Sequence, residues 1–219
     1  MFRACKKLKS IDIPDGVVHL GAGLFTDCIQ LSSVKLPRGT KVLSETLFQG
    51  CVNLTNVVLA DTLTTLNGFR DCRSLKSLAI PNSVTSIGEL AMSGCVSITE
   101  LELPNAVVEI GDHAFSGMTN LTRITLGGSL KRVGNAAFLS CSKLPEVGIP
   151  EGVETVGNNA FEFCSSLTNV VIPHSVTSLG FNAFHGCVSL ASATLGRGLR
   201  AIEIATFRDC LNLASITIP

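Results

Sequence analysis

Nine cysteines are the residues of this chain best placed to do chemistry, and their spacing decides which chemistry to consider: Cys5, Cys28, Cys51, Cys72, Cys95, Cys141, Cys164, Cys187 and Cys210. Thiolates bind zinc, pair into disulfides or act as nucleophiles, and each role needs its own geometry. Successive cysteines here stand 23 residues apart, as from Cys5 to Cys28, or 46 apart from Cys95 to Cys141, where Met118 fills the skipped place. Only the step from Cys51 to Cys72 is shorter, by two residues. Even spacing and an odd count do not form a disulfide framework. Cysteines stacked in one column make a line, whereas a structural zinc needs four ligands arranged tetrahedrally. Met118 keeps the register without a thiol, so the column asks for apolar volume, and free cysteine packs as a small hydrophobe. The column therefore predicts buried, reduced thiols.

The other reactive side chains are scattered. His19, His113, His174 and His185 fall at four different places of the 23-residue unit, and no His-Glu-x-x-His, phosphate loop or Gly-x-Ser-x-Gly occurs. Carboxylates from distant units can still meet: Glu100, Glu102 and Glu146 share outward positions on nearby coils, with Arg123 between them. That set is read as a self-paired, solvated cluster or, failing that, a modest acidic contact patch. Catalysis is the reading with least support, and no cofactor or metal site is expected. Two Asn-x-Thr triplets begin at Asn53 and Asn120, and the repeat consensus alone would generate them.

What must position these residues is a repeat. With each cysteine at column zero, the unit reads Cys-x-x-Leu-x-x-Val-x-Ile-Pro-x-x-Val-x-x-Ile-Gly-x-x-Ala-Phe-x-x, as in Cys164, Leu167, Val170, Ile172, Pro173, Val176, Leu179, Gly180, Ala183 and Phe184. Columns three, six and eight alternate as a short strand with one buried face. Proline, which cannot donate to a ladder, follows as Pro14, Pro37, Pro81, Pro104, Pro150, Pro173 and Pro219. The second half of the unit carries apolar residues at three- and four-residue spacing, as one or two helical turns would. Glycine recurs there as Gly21, Gly88, Gly111, Gly134, Gly157 and Gly180, where a positive φ is expected. Phenylalanine closes the unit, with Met92 in its place once. In the third unit five residues separate Leu66 from Cys72 where seven are usual, which predicts a shortened outer turn under continuous strand stacking.

A unit of this length cannot bury its apolar columns alone, so stacked units form one solenoid core. The pattern resembles the leucine-rich repeats of the BspA-like, treponemal type, and the likeness spans essentially the whole chain. It implies an α/β solenoid of 23-residue units, each with a short strand and a short helical or irregular turn, stacked into a parallel sheet. Residues 1–219 read as a single leucine-rich repeat domain of about nine full units from Cys5. Partial units at both ends suggest a piece of a longer array.

The formal net charge is zero, which gives no electrostatic ground for nucleic-acid binding. No apolar run approaches the length of a membrane span, so no direct membrane insertion is expected. The chain opens straight into a repeat without a signal-peptide core. Localisation stays open between cell surface or secreted, if a signal lies outside these residues, and cytoplasmic. The resemblance implies a non-enzymatic protein-binding module acting in surface adhesion to host, matrix or other cells. The alternative is an intracellular scaffold, to which nine unpaired thiols are congenial. The partner is a protein in either case, with self-association as a further option. The contact is expected where the consensus fails. Column 17 holds small or polar residues in most units but Phe181 and Ile204 in the last two, and Phe163 stands in a column otherwise held by Gly, Ser or Asp. These three are expected to form an exposed apolar patch, with Phe163 within reach of one of the other two.

Overall fold

The computed structural model describes residues 2–219. Among them lie fourteen short strands: β1 (Ser10–Asp12), β2 (Ser33–Lys35), β3 (Asn56–Val58), β4 (Thr65–Leu66), β5 (Ser86–Ile87), β6 (Glu100–Glu102), β7 (Glu109–Ile110), β8 (Arg123–Thr125), β9 (Arg132–Val133), β10 (Thr155–Val156), β11 (Asn169–Val171), β12 (Ser178–Leu179), β13 (Ser192–Thr194) and β14 (Ser215–Thr217). Every pairing is parallel, and nearly all join residues 23 apart, as Ser10 to Ser33 and Thr155 to Ser178. The chain is a parallel β-solenoid whose unit is the cysteine-to-cysteine repeat. No helix occurs among the described residues. The three- and four-residue spacing of the second half is met by a two-residue strand followed by a run of turns.

Each coil thus presents two strand faces. The first carries the alternating columns and forms three separate sheets, β1-β2-β3, β6-β8 and β11-β13-β14. The second is an unbroken six-strand ladder in the order β12-β10-β9-β7-β5-β4, extended by a bridge from Val42 to Thr65. Between the faces run the core columns. Seven phenylalanines are fully buried, each worth about 1.5–3 kcal/mol relative to exposure. Their rings stack from coil to coil, at 5.1 Å for Phe138 and Phe161 and 5.5 Å for Phe25 and Phe48.

The strand face is interrupted twice, and the expectation of continuous stacking past the third unit is corrected here. β3 forms, but residues 76–80 of the next coil make no main-chain hydrogen bond to either neighbouring coil on this face. The register is nonetheless right: Phe69 stacks on Phe48 at 5.3 Å, and the Phe69 N–H donates to Ala91. The rings of Phe48 and Phe69 stand 26° apart, close to the 28° between Phe115 and Phe138 on full-length coils, so the short turn leaves the core stack undisturbed. A shortened coil keeps ladder spacing on one side only, and here the second face keeps it. The turn has a further cost, because the buried Asn67 amide oxygen has no hydrogen-bond partner. The second interruption, at residues 146–148, has a simpler cause. Pro145, the one proline off the terminating column, removes a ladder N–H at the strand's start, and Gly148 weakens its end.

The recurring glycines are also explained differently from the expectation. None of Gly21, Gly88, Gly111, Gly134, Gly157 and Gly180 has a positive φ. A Cβ on Gly111 would stand 2.7 Å from the carbonyl carbon of Gly88, and one on Gly157 at 2.7 Å from that of Gly134. At Gly111, Gly134, Gly157 and Gly180 close approach of stacked backbones, not turn conformation, excludes a side chain, whereas Gly88 meets the Asn67 side chain and Gly21 has open space around it. Left-handed residues sit instead mostly in columns 18 and 22, the latter being Ala4, Asp27, Gly50, Asp71, Gly94, Gly117, Ser140, Phe163, Gly186 and Asp209, with Gly152 outside both.

Candidate protein-contact surface

The cysteines do no visible chemistry. Cys28, Cys51, Cys72, Cys95, Cys141, Cys164 and Cys187 are unpaired and fully buried, while Cys5 is exposed and Cys210 half-buried. Loss of solvation pushes the thiols of Cys51, Cys95, Cys141 and Cys187 up to about 12, and those of Cys72 and Cys164 well above the ordinary value. Among the described residues no group of three or more ligating side chains is placed to hold a metal ion.

Every thiol from Cys28 onward has a partner that the sequence did not reveal. Cys51 Sγ donates to the Phe25 carbonyl at 3.1 Å, Cys164 to Phe138 at 3.3 Å and Cys187 to Phe161 at 3.2 Å. The offset of 26 residues links the cysteine column to the phenylalanine column one coil earlier. By that register Met118 belongs over Met92, so the single departures from both columns fall together. A hydroxyl at column zero would inherit the same acceptor. Cys164→Ser is therefore expected to cost only about 1 kcal/mol in urea unfolding. A loss above about 3 kcal/mol would show that the carbonyl does not serve it.

The acidic set on the strand face divides. Glu100 and Arg123, partners across β6 and β8, form an ion pair at 2.6 Å. Glu102 and Glu146 have no ion-pair partner among the described residues. Both interruptions of this face open clefts beside these residues. One, of about 530 Å³, lies between residues 77–80 and β6 and includes Glu100, Glu102 and Arg123 in its wall. The other, of about 360 Å³, is bounded by Arg123, Glu146, Gly148 and Asn169.

Phe163, Phe181 and Ile204 are 46%, 46% and 83% exposed. Ile204 owes part of this to its place on the last full coil. The other two are exposed inside the array, and each displaces a residue with a local structural task. In column 17 the side chain of one coil accepts from the backbone N–H of the next. Asp112 takes the N–H of Asn135 at 2.8 Å, Asn135 that of Asn158 at 2.9 Å, and Asn158 that of Phe181 at 3.1 Å. Burial works to raise the Asp112 carboxyl, but hydrogen bonds from Asn135 and the Arg132 guanidinium outweigh it and hold the group below its ordinary value. Phe181 ends this ladder, having no oxygen to offer Ile204. Phe163 occupies a left-handed position, φ 58°, that the array otherwise gives to Gly, Ser, Asp or, at the first coil, Ala4. Its ring lies across Gly186, where any Cβ would collide with it. The aromatic partner of Phe163 is His185, at 5.1 Å between ring centres, and not Phe181.

His185 is the centre of a cluster the sequence reading missed. Its Nδ1 lies 2.7 Å from Glu162 and its Nε2 3.1 Å from Asp209, so carboxylates of the preceding and following coils hold both ring nitrogens. Asn159 fixes Glu162 at 2.6 Å, and its own N–H donates to the Phe181 carbonyl, linking the cluster to column 17. The signal was available: Glu162 and His185 are one period apart. Both nitrogens being occupied by carboxylates, the imidazole has none free to serve a nucleophile. The sequons are likewise committed. The amide nitrogens of Asn53 and Asn120 donate to the carbonyls of Ile29 and Val96, each at 2.8 Å, as does that of Asn212 to Val188.

Compared with known proteins, the chain matches the BspA type leucine rich repeat region family in six copies, over residues 1–69, 66–188 and 154–219. The crystal structure of a leucine-rich repeat protein from Bacteroides ovatus aligns at a TM-score of 0.70 and 24% identity, over 92% of this chain and 64% of that one. This chain thus spans a little under two thirds of that protein's length. A leucine-rich repeat protein of T. pallidum aligns at 0.57 and 26% identity, over 83% and 78% of the two chains. A leucine rich cell surface protein from Faecalibacterium prausnitzii aligns at 0.54 and 21%, over 96% and 79%. No curated protein matches.

Proposed function

This chain belongs to the BspA-type leucine-rich repeat family, and from that premise we propose that it is a non-enzymatic protein-binding module acting in adhesion at a cell surface, with Phe163 and Phe181 at the centre of its contact site and Ile204 at its edge. Repeats of this family are typical of protein-binding modules. The observation that carries the reading is that both phenylalanines are kept against local preference. A bulky left-handed residue costs about 1–2 kcal/mol relative to glycine, and Phe181 gives up a ladder bond that Asn135 and Asn158 make. Departures of this kind mark surfaces held for something other than the fold. The second reading, an intracellular scaffold, drew on the unpaired thiols. Their burial weakens that argument, since buried thiols with raised pKa are inert in an oxidising compartment as well.

Phe181→Asn together with Ile204→Glu is expected to leave the unfolding free energy, from urea titration, within about 0.5 kcal/mol of the parent. Phe163→Gly should raise stability by up to about 1 kcal/mol, by relieving the left-handed side chain. All three changes should weaken attachment of the chain to immobilised extracellular-matrix proteins and its self-association in sedimentation. Large loss of stability with attachment unchanged would place these residues in the core and overturn the reading.

A further inference from the structure

We propose that the cleft between residues 77–80 and β6 is a second contact site, which captures an extended peptide carrying a lysine or arginine. The proposal rests on the reading of the chain as a protein-binding module and names one of its partners' chemistries. Three observations carry it. First, two main-chain edges face each other there without bonding. Where coils pair on this face, the N–H groups of columns four and five donate to the column-four carbonyl one coil earlier, as Thr122 and Arg123 do to Thr99. Column eight donates to column seven of the next coil, as Leu103 does to Thr125. Across the cleft the corresponding groups, Thr99 N–H, Glu100 N–H and Ile80 N–H as donors with the Lys76 and Glu102 carbonyls as acceptors, make none of these bonds. Unpaired strand edges of this kind are what an extended peptide recognises in β-augmentation.

Second, there is room. The cleft holds about 530 Å³, with Leu78 and Leu101 closing its floor and Ile80 and Pro104 among its walls, so the peptide meets apolar surface without entering the core. Third, the charge at the rim selects the side chain. Arg123 is spent on Glu100 at 2.6 Å, which leaves Glu102 as the uncompensated carboxylate of the cleft wall. A cation on the peptide neutralises it and an acidic residue is repelled. Exposed charge pairs contribute little, so main-chain bonding supplies most of the affinity and Glu102 supplies choice.

The probe is a blocked, fluorescently labelled valine-lysine-valine-threonine-valine peptide, compared with its glutamate counterpart and with an N-methylated version lacking main-chain donors. Weak saturable binding of the lysine peptide is expected, with slowed hydrogen exchange at Ile80, Thr99 and Glu100. Glu102→Lys should weaken it about fivefold or more, while Glu146→Lys at the other cleft leaves it within twofold. The glutamate peptide should bind about fivefold or more weakly than the lysine peptide, and the N-methylated peptide should fail to bind. No binding of the lysine peptide, equal binding of the N-methylated one, or indifference to Glu102→Lys overturns the proposal. Attachment through Phe163 and Phe181 that persists in Glu102→Lys separates a failure here from a failure of the module reading.

Discussion

Raising the pH from 8 to 10 is expected to remove roughly 6 kcal/mol of folding stability, more than half of what a typical domain possesses. The cause is the thiol column. Cys51, Cys95, Cys141 and Cys187 move from an ordinary value of 9.0 to about 12 in the folded chain because burial disfavours the thiolate. The folded state keeps the neutral thiol, so its advantage is complete below pH 9, where the unfolded chain holds its protons too. It is lost as pH climbs from 9 toward 12, because the unfolded chain alone ionises. At pH 10 each such thiol has forfeited on the order of 1 kcal/mol. Cys72 and Cys164, also raised, add to the loss.

The measurement is clean in this chain. There is no tyrosine, so thiolate absorbance can be followed directly while urea midpoints are taken at intervals from pH 7 to 10.5 in reductant. The thiolate signal should appear with unfolding and not before it, and alkylation of native protein at pH 8 should stop at Cys5 and Cys210. Replacing Cys141 by alanine should flatten the alkaline limb by the share of one thiol. A midpoint constant to pH 10, or thiolate formed in folded protein, would mean that the column is wetter than its burial indicates.

The period, the inward columns and the thiol column could be read from the sequence because each is a residue type repeated at one place in the unit. What could not be read was set by relations between coils. Asp112, Asn135 and Asn158 look merely small or polar, and only the stacked coils show each side chain capping the next backbone N–H. Left-handed residues such as Leu90, His113 and Ala136 have no type in common, because the turn imposes the conformation whatever the residue. The cysteine hydrogen bonds cross from one column to another and have no signature within a unit. Of the two breaks in the strand face, the one beginning at Pro145 was legible in a proline out of place. The one at residues 76–80 arises from a shortage in the preceding turn, and its own residues are ordinary.

The glycine column tests this distinction. Gly157→Ala is expected to cost about 3 kcal/mol, the upper part of the usual range for overpacking. A Cβ there would meet the amide nitrogen of Asn135 and the carbonyl carbon of Gly134, both at 2.7 Å, and neither is the movable end of a side chain. Two coils would have to part, and with them the pairing of β9 with β10 and the bond from Asn158 N–H to Asn135. Gly117→Ala offers the opposite case. Gly117 has φ 73°, but its nearest obstacle is 3.9 Å away, so only conformation opposes the change and about 1 kcal/mol is expected. Were the column kept for conformation, the two substitutions would cost the same. If close approach is the reason, Gly157→Ala should be the worse by about 2 kcal/mol and should speed hydrogen exchange at Asn158, while Gly117→Ala leaves that amide protected. The same close approach brings the N–H groups of Asn135, Asn158 and Phe181 within reach of the Asp112, Asn135 and Asn158 side chains one coil earlier. The glycines thus set the spacing on which the ladder depends, and with it the point at Phe181 where the ladder gives way to the contact surface.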